Sequence, residues 1–233
     1  MLELKGIAGV LYTASEWMMR LTAVNLMWFV LSLPFFTLLV AIDMGDPAGL
    51  IWFGIAAWLF VTFLFFPATA AVFAVVRSWI VEEDFSSTFK KYISHLTSDY
   101  KSNVKAGAIF ALAWLVWYYN YFYFYSEQNS VAFLFLIIGL GMFILTVNFL
   151  SISAHYDMNS KARIKNAFFI SSGRPLTSLA ILASSAVLVW ISVFQLLWLV
   201  PLLVCSLIAF VSFAAFHKAT VKISEKAASN TAS

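Results

Sequence analysis

The chain has 233 residues, of which 63% are hydrophobic and 11% charged, with a formal net charge of +3. A soluble domain of this length carries about a quarter charged residues, so too few charges are present to cover a surface that faces water throughout. The composition excludes an ordinary soluble enzyme and predicts one bundle of α-helices in lipid, with no separate soluble domain. Aromatic residues are abundant, with 24 Phe, 9 Trp and 9 Tyr. Trp and Tyr in that number suit a chain that meets two membrane–water interfaces.

The first segment carries Leu4, Ile7, Ala8, Leu11, Ala14 and Met18 at helical spacing, with Lys5, Thr13, Glu16 and Arg20 on the other face. That pattern predicts an N-terminal amphipathic helix lying in the membrane interface. The charges among the first twenty residues, and no small-residue cleavage site after the apolar run that follows, argue against a signal peptide. That run, residues 21–42, is the first predicted span, and 50–76 is the second. A bilayer core of about 30 Å needs about 20 helical residues.

Between Arg77 and Lys105 lies a polar stretch with its own stripe. Phe85, Phe89, Ile93, Leu96 and Tyr100 fall on one face, with Lys90, Lys91, Ser94 and Asp99 opposite, and Asp84 or Ser86 is placed to cap the helix. Phe85, Phe89, Ile93, Leu96, Lys90 and Lys91 are the candidate partner-binding residues. Glu82, Glu83 and Asp84 suit the acidic start of a helix. The third span is 106–123, ending in the aromatic run Trp117 to Tyr125, and the fourth is 131–154. The aromatic run is either a belt at headgroup depth or a platform for the apolar faces of sugars, and composition leaves both open.

A third polar piece, residues 157–174, places Lys161, Arg163 and Lys165 before Phe168, Phe169 and Ile170. Residues 176–216 then hold no charge and are twice the length of a span, so they must fold back once. Gln195 and Pro201 mark the turn, because Pro suits the first turn of a new helix. The fifth and sixth spans are therefore 176–194 and 199–216. The tail, 217–233, is polar and rich in small residues and is expected to fray.

With six spans, all 14 Lys and Arg fall on one side, whereas the opposite loops hold only Asp43, Asp46 and Glu127. Positive charge is retained in the cytoplasm, so both termini are expected inside, in a bacterial cytoplasmic membrane. The basic residues then face either anionic lipid or a partner protein, and no nucleic-acid partner is expected.

Signals for chemistry are sparse. No ionisable residue falls inside a predicted span. Asn25, Thr37, Thr62, Thr69, Asn120, Thr146, Asn148 and Gln195 are the polar residues within spans; they either join helices or line a solute path. Pro34 and Pro67 either kink helices for packing or break them at an ion site. Cys205 is a lone thiol in an apolar run, and His95, His155 and His217 lack zinc-ligand spacing, so neither metal nor cofactor is expected. No phosphate-cradling glycine loop, carboxylate pair or Ser–His arrangement stands in the sequence, and no catalytic activity is expected.

Asn25-Leu26-Met27-Trp28, then Ser32-Leu33-Pro34 with Thr37, and later Pro67-Ala68-Thr69-Ala70-Ala71 running to Arg77, resemble the YesL family of bacterial membrane proteins, a domain family of unknown function. Asn25, Trp28, Pro34, Pro67 and Arg77 carry the resemblance. It implies a role beside carbohydrate importers of the ABC type that take up fragments of plant polysaccharides, with the permease or ATPase subunits as partners. It supplies no catalytic residues. The permease itself is disfavoured: the loop Lys161-Ala162-Arg163-Ile164-Lys165-Asn166-Ala167 lacks the acidic residue with which such permeases dock their ATPase. Three readings follow: an accessory protein of an importer, a small-solute transporter in its own right, and a membrane-bound regulator.

Overall fold

The computed structural model describes residues 7–41, 47–156 and 158–231. Leu4 and Lys5 of the N-terminal stripe, Asp43 and Asp46 of the first predicted outer loop, Asp157, and residues 232–233 of the tail lie outside them. The described residues form helices and short connections, with no strand among them.

Helix α1 runs without interruption from Ile7 to Ala41, 35 residues. The predicted interfacial helix and the first span are thus one element. Neither Gly nor Pro stands between Val10 and Leu33 to part them, and the Glu16–Arg20 pair at i, i+4 supports the helix across the predicted junction. At 1.5 Å per residue, α1 is about 50 Å long, well beyond a bilayer core.

The second span is built from α2 (Pro47–Phe60), a π-helical turn (Val61–Phe65) and α3 (Phe66–Val81). Pro67 accounts for the turn. Proline has no N–H to give to the carbonyl four residues back, and its ring crowds that carbonyl. A widened turn makes room, and the freed carbonyl of Phe63 accepts a hydrogen bond from Tyr100 Oη at 3.0 Å. Tyr100→Phe removes this partner. It is expected to cost about 0.5–1 kcal/mol, read as a lower thermal midpoint in detergent.

Helix α3 is the axis of the bundle and packs against α1, α4, α5, α6 and α9, whose ranges follow. Ala68, Ala71, Val72, Phe73, Val75 and Val76 are all buried in it. The small residues allow close approach, which drives helix association where lipid removes any hydrophobic preference. Phe66 stacks on Phe110 at 5.5 Å, and Phe110 meets Phe149 at 4.9 Å, so α3, α5 and α6 share an aromatic core.

Short helix α4 (Thr88–Ser98) leads into α5 (Tyr100–Ser126), which turns back into α6 (Val131–His155). Neither Asp84 nor Ser86 caps α4. The flanking residue is Ser87, and Asp84 Oδ1 instead accepts from Ser86 N at 2.9 Å in the turn before it. Helix α7 (Ser160–Gly173) packs along α6, and α8 (Pro175–Phe194) follows. The chain folds back at residues 195–199, inside the predicted turn. It then enters a second π-helical turn (Val200–Val204) and α9 (Cys205–Thr231). Helix α9 takes in the tail, as far as Thr231. Ala, Lys and Glu between Lys222 and Ala228 favour helix and nothing there breaks it.

Five helical stretches among the described residues are long and apolar enough to cross a membrane: Gly9–Ala41, Gly49–Val81, Val131–His155, Pro175–Phe194 and Val200–Lys218. Helix α5 has 27 residues and matches them in length. Its second half is so rich in Tyr and Trp, with Asn120 among them, that it falls short in apolarity.

Candidate functional site

The most constrained polar group in the bundle is Asn25, which is completely buried. Its Nδ2 donates to the carbonyls of Val200 at 2.9 Å and Pro201 at 2.7 Å, and its Oδ1 accepts from Ser206 N at 2.9 Å. The π-helical turn before α9 leaves backbone groups without regular helical partners. One amide from α1, a donor on one side and an acceptor on the other, satisfies three of them. Three residues along, Trp28 Nε1 donates to Thr69 Oγ1 at 2.9 Å, and that hydroxyl donates to Phe65 O at 2.7 Å. Asn25 and Trp28 therefore stitch α1 to both irregular turns of the bundle.

The other polar residues named from the sequence do not converge. Thr37 is exposed and donates to Pro34 O in its own helix at 3.0 Å, while Pro34 lies inside an unbroken α1. Asn120 bonds Val116 O in its own helix at 2.7 Å. Asn148 is buried and donates to Ser171 Oγ at 2.8 Å, and Ser178 Oγ donates to Ser171 O at 3.0 Å, so this chain joins α6, α7 and α8. A cavity of about 440 Å³ opens between α1, α3, α5, α6, α8 and α9, walled by Trp28, Phe36, Phe65, Phe143 and Val193. Of its polar groups, the Trp28–Thr69 and Trp114–Thr146 pairs bond each other, and Ser192 Oγ donates to Leu188 O in its own helix at 2.6 Å.

Helix α4 divides the candidate partner-binding residues. Lys91 turns inward: Nζ lies 2.6 Å from Asp84 Oδ2, 2.7 Å from Asp84 O and 3.3 Å from Ser78 Oγ. The Lys91 ammonium, followed by the Ser86 N–H, holds the Asp84 carboxyl down at about 2. Lys91 is therefore a structural tether. The buried anchor is Tyr92, absent from the predicted stripe, whose Oη donates to Ala68 O at 3.2 Å. Leu96 packs against the core. Phe85 lies against α1, with Arg20 4.6 Å above its ring and donating to its carbonyl at 3.1 Å. Phe89 and Ile93 stay 63% and 40% exposed beside exposed Lys90. Of the six candidates, these three form the open surface of α4, and Phe85, also exposed, lies beside α1.

At the same end, α3, α4, α5, α6 and α7 enclose a polar cavity of about 320 Å³. Arg77, His95, Asp99, Asn103, Ser153, His155 and Arg163 line it. Arg77 Nη1 lies 2.5 Å from Glu82 Oε1, while its Nε is buried without a hydrogen-bond partner, as are Ser153 Oγ and His155 Nδ1. Burial holds His95 below the usual histidine range, with Asp99 pulling the other way. Arg163, read from the sequence as one of a basic group with Lys161 and Lys165, is 8% exposed and lines this cavity. Sequence spacing missed the cluster because its members come from five helices. His155 and His217, 62 positions apart in the chain, have rings 5.9 Å apart. The one signal was that Arg77 and His155 stand directly after predicted spans and Arg163 in the basic piece that follows the second of them.

At the opposite end, Trp117, Tyr121 and Tyr125 stack in series at 5.4 and 5.9 Å along α5. Trp117 is fixed to α6 by a bond from Nε1 to Phe135 O at 2.6 Å. Tyr121 and Tyr125 border a shallow cavity of about 510 Å³ with Gln128, Asn129 and Ser130. Rings beside amides and hydroxyls suit either headgroups or sugars.

Residues 48–121 match the family described as "Protein of unknown function, DUF624". The chain is 23% identical over 200 residues to "Uncharacterized protein YesL" of Bacillus subtilis (strain 168), covering 85% of this chain and 84% of that one. It is 25% identical over 227 residues to "Uncharacterized protein YteU" of the same organism, covering 96% and 91%. No solved structure matches. The resemblance to the YesL-like family, stated from Asn25, Trp28, Pro34, Pro67 and Arg77, holds.

Proposed function

We propose that this YesL-like chain is a non-catalytic, six-span protein of the bacterial cytoplasmic membrane, with both termini inside, that serves as an accessory component of an ABC-type carbohydrate uptake system. Counting α5 as a span supports the topology, because the five apolar stretches plus α5 return every Lys and Arg to one side. The resemblance supplies the uptake setting. The observation that carries the accessory role is the open face of α4: Phe89 and Ile93 exposed beside Lys90, while Tyr92, Lys91 and Leu96 anchor the helix from behind. A helix held so firmly can present an apolar, basic surface to a partner without unfolding.

A transporter acting alone gains less support. It needs a polar path or an ion site at a broken helix. The carbonyls freed at the turn Val200–Val204 are taken by Asn25, Thr37 and Asn120 bond their own helices, and the cavity inside the bundle is apolar.

The test is affinity purification in mild detergent from a native host grown on plant polysaccharide. Importer subunits are expected with the wild-type chain, and Phe89→Ala with Ile93→Ala is expected to reduce their recovery at least severalfold. Both side chains are exposed, so the double variant is expected to insert and melt as the wild type does. Recovery of the chain alone, well folded, would overturn the accessory role and direct attention to flux in proteoliposomes.

A further inference from the structure

We propose that the apolar cavity among the spans is a site for one acyl chain of a membrane phospholipid, held at a fixed place rather than passing along the surface. This inference stands apart from the accessory role. The cavity, about 440 Å³, lies between the two irregular turns of the bundle. Phe65 walls it from the first turn, and Val200 and Val204 from the second. A π-helical turn widens a helix locally, and such turns are frequent at functional sites.

The chemistry of the walls selects the occupant. Thr69 Oγ1 and Thr146 Oγ1 accept from Trp28 and Trp114 and donate onward to Phe65 O and Met142 O, each at 2.7 Å. Ser192 Oγ is turned to Leu188 O. Among the described residues, none of the buried side-chain N and O atoms without a partner belongs to this lining. A sugar, an ion or a peptide would lose its hydrogen bonds to water there and gain none. A hydrocarbon loses nothing. An apolar cavity of about 150 Å³ takes up one benzene, so this one has room for roughly sixteen to eighteen carbons.

The position of the cavity names the source. Val189 and Val193 of α8 line it yet are 42% and 52% exposed, so its open edge lies on a spanning helix, where the surrounding medium is acyl chain. Val193 stands just before the fold back at residues 195–199, at the end of the bundle away from the basic pieces. No Lys, Arg, Asp or Glu stands between Arg174 and Lys218, so this stretch offers no charge to a headgroup and the chain alone is recognised.

The experiment uses the full chain, purified in an uncharged detergent and delipidated. Dipalmitoyl phosphatidylcholine is added, and retained lipid is counted by native mass spectrometry. Wild type is expected to retain one lipid per chain, and phosphatidylglycerol with the same acyl chains to the same extent. Didecanoyl phosphatidylcholine, whose chains leave much of the cavity empty, is expected to be retained severalfold less. Val193→Trp fills the open edge with a ring and is expected to lower retention about tenfold or more. Val187→Trp, 56% exposed on the same helix but outside the lining, is expected to retain lipid as wild type does. Val189→Phe repeats the block from the same edge should Val193→Trp fail to insert. Retention in the blocked variants equal to that of Val187→Trp would mean lipid held only around the bundle, and the proposal falls. It falls equally if wild type retains no lipid, if headgroup rather than chain length governs retention, or if a polyprenyl lipid is recovered one to one from native membranes in place of phospholipid.

Discussion

Asn25→Leu is expected to destabilise the protein more than any other substitution of a single polar residue within the spans. Leucine keeps the branching but is bulkier, so some overpacking is added to the loss of partners by three backbone groups at once. Each buried group left unpaired costs about 1–3 kcal/mol, and the second π-helical turn has no water or regular helical partner at hand to share the loss. A loss of about 3 kcal/mol or more is expected, seen as a drop in thermal midpoint and as aggregation on size exclusion in detergent. Asn25→Asp is expected not to rescue it, because the carboxylate still accepts from Ser206 N but faces the carbonyls of Val200 and Pro201. Thr37→Val sets the scale. That hydroxyl is exposed and bonds only its own helix, so the change stays within about 0.5 kcal/mol. Equal midpoints for Asn25→Leu and Thr37→Val would mean that the turn at Val200 is held by packing alone.

The contrast between those two residues shows what the sequence can disclose. Asn25 and Thr37 are both polar residues in one apolar stretch, and nothing local separates them. What separates them is a turn 175 positions away, and that turn is legible only as a proline in a charge-free run. Five of the six apolar stretches are readable, because charge marks their ends and Pro201 marks the fold back. The junction between the amphipathic segment and the first span was not. Periodicity reports a polar face but not whether the helix stops, and the same helix can leave the interface and cross the membrane. On α4 the periodic stripe was visible, yet the bundle took a different face. Tyr92 and Lys91 bury stems and anchor polar tips, so a count of apolar positions misassigns them. The basic-end cavity was invisible for a third reason. Its groups are single residues at the ends of separate helices, and only packing brings them together.

Gly139→Ala and Gly141→Ala make the same chemical change two residues apart in α6 and are expected to act with opposite sign. A Cβ at Gly139 would lie 2.4 Å from Trp117 Cζ2, 2.6 Å from Cε2 and 2.8 Å from Nε1, all inside contact distance. The indole cannot swing away cheaply. It donates to Phe135 O at 2.6 Å, stacks on Tyr121 at 5.4 Å and meets Trp114 edge-on at 5.2 Å. Helices α5 and α6 must part, at a cost of about 1–3 kcal/mol. A Cβ at Gly141 meets nothing within 4 Å, so the helix gains up to about 1 kcal/mol from the better helix former. Thermal midpoints in detergent read both, and tryptophan emission reports whether the indole has left its place. Trp117→Phe is expected to recover part of the loss in Gly139→Ala, because the smaller ring vacates the space the new methyl needs. The outcome bears on the aromatic end as a whole. If Gly139→Ala is silent, Trp117 is a loose ring in the headgroup layer and the run Trp117 to Tyr125 is a lipid belt. If it costs what the contacts require, the stack is clamped to α6, and Tyr121 and Tyr125 are held in fixed register beside Gln128 and Asn129. A fixed ladder of rings is what stacking against the apolar face of a ligand demands, and a belt has no need of it.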